Sequence, residues 1–228
     1  MQEFSPRLEI LPASQRRLWT ELSTVPREFV LYDGTALALH LGHRSSVDFD
    51  LFGARALEQS TLEAEISFLA GTKVIQRDTN TLSVIVDRGG PVKVSFFGVP
   101  KLPRLAQAHV AKDNGLRVAS LLDRAGTKAS VVQLRAEAKD YIDIDALMTL
   151  GKIGLSTALA AAQKLYGPSF NPQITLKALS CFDDGNLQDL PDSTKNRLAA
   201  AAREVDLDHL PAIDSASQGA VPDHGYEA

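Results

Sequence analysis

Two carboxylates one residue apart, Asp48 and Asp50, follow closely on a Gly34-Thr35 pair within the stretch FVLYDGTALALHLGHRSSVDFDLF, residues 29–52. Val47, Phe49 and Leu51 alternate with Ser46, Asp48 and Asp50, the pattern of a half-buried strand. Residues i and i+2 of a strand share a face with Cα atoms roughly 6.6 Å apart. Both carboxylates can therefore reach one hard divalent cation, or a pair of cations about 3.5–4 Å apart. Hard oxygen ligands suit Mg²⁺, which keeps water and substrate phosphate oxygens as its remaining ligands. Just upstream, Val30-Leu31-Tyr32 reads as a strand and Asp33-Gly34 as a tight turn. Thr35 reads as the cap of an Ala- and Leu-rich helix that Gly42 ends. The free N–H groups of a helix N-terminus bind phosphate well. A phosphate cradle beside a metal holder points to metal-assisted phosphoryl transfer. Arg44 is either a phosphate clamp, through its planar fork, or half of a surface salt bridge.

The order Asp33-Gly34-Thr35-Ala36-Leu37, then His43-Arg44-x-Ser46-x-Asp48-x-Asp50, resembles the AbiEii/AbiGii-type nucleotidyltransferase toxins, members of the polymerase-β-like superfamily. The resemblance covers roughly the first two-thirds of the chain. It implies a nucleoside triphosphate substrate, Mg²⁺, an RNA (including tRNA) or protein acceptor, and an antitoxin partner. It makes Gly34, Thr35, Arg44 and Ser46 the nucleotide-binding set and Asp48 and Asp50 the metal ligands. Lys128, in Gly126-Thr127-Lys128, then contacts nucleotide phosphate, and Asp140, in Lys139-Asp140-Tyr141-Ile142-Asp143, joins the active site. Asp140 and Asp143 are also acids at i and i+3 near a helix start, where the dipole alone favours them. Two departures stand out. The family usually has Gly where this chain has Asp33. The third carboxylate of such sites belongs on the strand at 92–97, where this chain has Ser95. A second function therefore stays open: a catalytically weakened nucleotide- or partner-binding module of the same fold.

Further elements must hold these residues. Residues 12–24 read as a helix with Ser14 as cap and Leu18, Trp19 and Leu22 on one side, and residues 57–69 as another with Leu62, Ile66 and Leu69 inward. Strands are expected at 73–77, 81–87 and 92–97. Arg88-Gly89-Gly90-Pro91 turns the last two into an antiparallel hairpin beside the Asp-x-Asp strand. Residues 98–114, with Pro100 and Pro103, read as loop. Helices are expected at 119–137, 139–150, 155–165, 173–181 and 194–204. The fold class is α+β: a small mixed, mainly antiparallel sheet with flanking helices, followed by a helical half. The expected division is a nucleotidyltransferase-like core at 1–115, a helical region packed on it at 116–205, and a flexible tail at 206–228.

An apolar fraction of 44% fits a substantial core. No apolar run reaches the ~18 residues of a membrane span. The N-terminus lacks the apolar run of a signal peptide, and Cys181 stands alone, so a soluble cytoplasmic protein is expected. Cys181 reads as a buried small hydrophobe, and His40 with His43 lacks the further soft ligand zinc would need. Net charge is −4, yet Lys93 to Lys139 carries nine Lys/Arg against three Asp/Glu. A basic middle on an acidic chain either attracts a nucleotide or RNA backbone or is a set of solvated helix charges.

Overall fold

A computed structural model of the chain describes residues 2–100 and 102–214. A short strand β1 (Glu3–Phe4) leads into helix α1 (Ala13–Trp19) and a 3₁₀ turn over Thr20–Thr24. Leu18, Trp19 and Leu22 are buried as their spacing requires, but Pro12, not Ser14, caps the helix. Strand β2 (Phe29–Leu31) runs into helix α2 (Asp33–Leu41) and then strand β3 (Phe49–Gly53). Helix α3 (Gln59–Glu65) and the antiparallel run β4 (Lys73–Asp78), β5 (Thr81–Asp87) and β6 (Pro91–Gly98) complete the expected core. The 57–69 segment is not one helix. Extended backbone at Ile66 (φ −100°, ψ 100°) splits α3 from a 3₁₀ turn at Ser67–Leu69, although Leu62, Ile66 and Leu69 all face inward.

The sheet has eight strands in the order β1-β7-β8-β2-β3-β6-β5-β4. It includes two strands in the region read as loop or left unassigned, β7 (His109–Ala111) and β8 (Arg117–Val118). These are too short to show alternation. They are held by pairing: β7 antiparallel to β8 and parallel to β1, β8 parallel to β2 through Leu31 and Val118. The hairpin does lie beside the Asp-x-Asp strand, with β6 parallel to β3.

Five helices follow: α4 (Leu121–Val131), α5 (Ala138–Thr149), α6 (Leu155–Tyr166), α7 (Pro172–Ala178) and α8 (Asp192–Glu204); α7 stops short of Cys181, which is exposed and not buried. The expected 119–137 helix is shorter because Ser120 caps it, its hydroxyl accepting from the Asp123 N–H, and Val132 closes it. Gly126 lets α4 cross α6 at backbone contact, since a Cβ there would sit 2.9 Å from the Ala161 carbonyl carbon. Helix α2 joins the two halves. Ala36, Ala38 and Leu39 pack with the sheet, while Leu37 packs with α4, α5 and α6. Part of the expected tail is ordered on this helical core: Leu207 and Leu210 pack against it around a 3₁₀ turn at Leu207–His209. Residues 215–228 of that expectation lie outside the described residues. Among the described residues no helix is long and apolar enough to cross a membrane.

Candidate active site

Strand β2 ends at Leu31, and its chain turns at once into α2. The residue at the turn is Asp33, with φ at +60°, a left-handed conformation that favours glycine. Helix α2 thus starts two residues before Thr35, and Tyr32 occupies the cap position. Thr35 is not the cap. It is buried in the first turn, where its hydroxyl donates to the Asp48 carbonyl and bonds Ser46 Oγ at 2.7 Å. Thr35 therefore ties the 46–48 segment to the helix N-terminus. Asp48 lies just before β3 rather than within it, and Asp50 lies inside it.

A cleft of about 150 Å³ opens where these pieces meet. Gly34, Thr35, Arg44, Ser46, Asp48, Asp50 and Lys128 all line it, together with Asp33 and Lys139. Seven of the eight site residues expected from sequence are thus brought to one place. The eighth, Asp140, is fully buried behind it, with its oxygens engaged by Lys128 Nζ at 2.6 Å and Arg135 Nε at 2.8 Å. Its carboxyl titrates below the usual range. Burial pushes it up, but the Arg135 hydrogen bond and the Lys128 charge outweigh burial.

Lys128 is itself only 1% exposed and bridges two acids, Asp140 and Asp143, at 2.6 Å each. Asp143 is fully buried and also accepts from His43 Nε2 at 2.7 Å and, bidentately, from Arg44 Nε and Nη2 at 2.7 and 2.9 Å. Burial raises its pKa, and the bonds from His43 and Arg44 with the Lys128 charge more than reverse that, leaving it far below a normal carboxylate. The network fixes Arg44 across Gly34, where a Cβ would collide with the guanidinium. Arg44 is therefore no surface pair: its fork is anchored on one side and lines the cleft on the other. His40 takes no part, since its Nε2–H bonds the Ala119 carbonyl at 3.0 Å and burial lowers its pKa to about 4.

Asp50 is the electrostatic opposite of Asp143. Burial, then repulsion from Asp33, raises its pKa to about 6, and Asp48 adds further repulsion against the opposing Lys93 charge. A carboxylate that is costly to ionise alone is one that a cation would relieve. Asp48 is half-exposed, with Lys93 Nζ 4.0 Å away. Ser95 is the register partner of Asp50 on β6, fully buried, and accepts from Ser83 Oγ at 3.0 Å. Among the described residues no three His, Cys, Asp or Glu side chains form a metal-holding group. Two carboxylates suit one Mg²⁺ that completes its shell with water and phosphate oxygens.

Two cations of the basic middle, Arg124 and Lys128, are buried beside the cleft, while Lys112, Arg135 and Lys139 are exposed. Arg124, 2% exposed, lies 3.6 Å from Asp33, and Lys128 and Lys139 line the cleft. Arg124 escaped the sequence reading, although its i, i+4 relation to Lys128 puts both on one face of α4. Asp33 reads from the sequence as part of a turn and as a departure from the family's Gly, and its place at the rim follows from the left-handed backbone of that turn.

The sequence profile described as "Nucleotidyl transferase AbiEii toxin, Type IV TA system" matches residues 17–218. The chain belongs to the AbiEii nucleotidyltransferase toxin family. An uncharacterized protein of Aquifex aeolicus (strain VF5) is 29% identical over 159 residues, 69% of this chain and 75% of that one. Among solved structures, a candidate nucleotidyltransferase from H. pylori superposes with a TM-score of 0.51 at 18% identity, over 83% of this chain and 90% of the other. MenT4, a nucleotidyltransferase toxin from Mycobacterium tuberculosis H37Rv, gives 0.50 at 15% identity, over 85% and 83%. At these identities the superpositions speak for the α+β nucleotidyltransferase fold, and the family match speaks for transferase activity.

Proposed function

We propose that the protein transfers a nucleoside monophosphate from a nucleoside triphosphate to a hydroxyl of an RNA, tRNA included, and acts as the toxin of a toxin–antitoxin pair with a cognate antitoxin. A protein hydroxyl is the other acceptor of the same chemistry. The observation that carries this reading is the single cleft lined by Asp48, Asp50, the α2 N-terminus, Arg44 and Lys128. Asp48 and Asp50 would hold Mg²⁺, which would supply positive charge to offset that of the phosphates. The backbone N–H groups at Gly34 and Thr35 cradle the β and γ phosphates. Arg44, held in place by Asp143, offsets charge as the α–β bond opens, and Lys128 adds a buried positive potential. The acceptor oxygen attacks the α-phosphorus, pyrophosphate leaves, and the hydroxyl proton passes to solvent. Asp140 and Asp143 act as positioning residues for Lys128 and Arg44.

Ser95 favours a second reading, a nucleotide-binding module that has lost transfer. Incubation of the protein with α-³²P-labelled nucleotides and total RNA, with and without Mg²⁺, separates the two. Label in RNA only with Mg²⁺ supports the transferase. Mg²⁺-dependent nucleotide binding with no label in RNA or protein supports the module.

A further inference from the structure

Asp33 is the first residue of α2, and its backbone lies in the left-handed region at φ +60°. Asp and Asn accept that conformation better than most residues, and glycine accepts it freely. The carboxylate is half-exposed and lines the cleft beside Gly34 and Thr35. Its Oδ1 lies 3.6 Å from Arg124 Nη2 and 3.9 Å from Lys128 Nζ. Both distances exceed that of a hydrogen bond, so these are ion pairs held by charge alone.

The two cations are fixed, and the anion is the movable member. Lys128 is buried and gripped at 2.6 Å by Asp140 and by Asp143. Arg124 is buried, with its guanidinium carbon 5.8 Å from the centre of the Tyr32 ring. Asp33 lies on the solvent side of both, on a short side chain with the open cleft before it.

The place it holds suits an anion: the N-terminus of a helix, faced by two buried cations. A phosphate arriving there meets a negative charge already in position, and like charges a few ångström apart repel strongly in a half-buried site. A second metal ion would meet the reverse. Arg124 and Lys128 repel a cation from the Asp33 oxygens, so Asp33 does not replace the carboxylate that Ser95 lacks.

We propose that Asp33 is a displaceable counter-anion of the phosphate site. Its carboxylate holds the place of a phosphate oxygen against Arg124 and Lys128 and turns out into the cleft when the triphosphate binds. After transfer it returns and competes with pyrophosphate for the same two cations. No bond is made or broken in this step; one anion exchanges for another. The residue thus weakens phosphate binding and speeds release of the product. The inference rests on the phosphate site proposed above.

Titration calorimetry in Mg²⁺ with inorganic pyrophosphate and with tripolyphosphate, on the wild type, Asp33→Asn and Asp33→Gly, tests this. Asn keeps the shape and tolerates the left-handed backbone while removing the charge; Gly removes the whole side chain. Both variants are expected to bind both ligands about tenfold or more tightly. In transfer assays with each of the four nucleoside triphosphates, KM is expected to fall with no gain in kcat. Pyrophosphate is expected to inhibit both variants at concentrations lower by about the same factor. A residue that only shaped the turn would not strengthen product inhibition. Wild-type affinity for pyrophosphate in both variants overturns the counter-anion and leaves the phosphate site standing. Tightening in Asp33→Gly alone also overturns it, because relief of the backbone and not loss of charge would then be the cause. Loss of Mg²⁺-dependent binding in both variants overturns it as well and assigns Asp33 to the metal. Failure of the wild type and both variants to bind either ligand overturns the phosphate site itself.

Discussion

Asp50 and Ser95 are direct register partners on the adjacent parallel strands β3 and β6, and Ser95 is fully buried against Ser83. The third carboxylate expected of a two-metal site would have to stand at this position. There it would be sealed from water beside an acid whose pKa already lies at about 6. Ser95→Asp is expected to titrate still higher than Asp50, lower thermal stability and give no gain in transfer. Ser95→Ala leaves Ser83 unpaired and should cost about 1 kcal/mol with little change in transfer. A strong gain of transfer in Ser95→Asp would mark the chain as a decayed two-metal enzyme.

Gly34 and Arg44 make the second prediction. Gly34→Ala would push the guanidinium off the helix N-terminus, since the added methyl occupies its place. Triphosphate binding is expected to fall on the order of tenfold or more, about 1.4 kcal/mol, with a loss of stability smaller than in Asp143→Asn, because His43 and Lys128 still hold Asp143. Asp143→Asn contrasts with it. That change strips the buried anion from His43, Arg44 and Lys128, so about 3–5 kcal/mol of stability should go along with activity. Thermal unfolding beside nucleotide titration distinguishes them, and equal destabilisation by both variants would contradict the assignment.

The site was legible because its residues are close in sequence and sit on strongly patterned elements. Gly34, Thr35, Arg44, Ser46, Asp48 and Asp50 span one strand–helix–strand unit, and alternation around Phe49 and Leu51 fixes which way the acids point. Lys128 and Asp140 were reachable through the family pattern, but their burial and mutual pairing depend on α4 crossing α6 at Gly126, which no local signal gives. Strands β7 and β8 were missed for a related reason. They are two or three residues long and exist through pairing with β1 and β2. The helix start at Asp33 was misread because a left-handed aspartate stands where Thr35 offered the better cap.

Catalytic efficiency should depend on pH through Asp50. The folded state raises this carboxyl from 3.8 to about 6, so at pH 5 it is largely protonated and a poor cation ligand. At Mg²⁺ too low to fill the site of the free enzyme, kcat/KM is expected to fall as the pH drops below about 6, where an ordinary aspartate would place the break near 4, and saturating Mg²⁺ is expected to move the break down. A profile flat down to pH 5 would remove Asp50 from the metal-binding set.

Asp48→Asn and Asp50→Asn should both abolish Mg²⁺-dependent nucleotide binding, but they should differ in stability. Each keeps the side-chain shape and removes one anionic oxygen ligand. Asp48 is half-exposed with Lys93 4.0 Å away, so its loss should change the unfolding free energy by less than about 1 kcal/mol. Asp50 is a raised-pKa acid. Folding binds its proton more tightly than the unfolded chain does, so its ionisation destabilises the fold as pH rises from about 4 to about 6 and stays unfavourable above that. In metal-free buffer at pH 7, Asp50→Asn is therefore expected to be more stable than the wild type, by up to about 3 kcal/mol. The gain should fade as the pH drops below about 5, where the wild-type carboxyl is already neutral. Asp143 works in the opposite sense: its depressed pKa contributes stability at neutral pH that is lost as acid titrates it. Denaturant unfolding of the three proteins at pH 5 and 7 without metal reads both effects. An Asp50→Asn variant that is less stable than wild type at pH 7, or that still binds nucleotide with Mg²⁺, would show that Asp50 is a structural acid and not the buried ligand of the cleft.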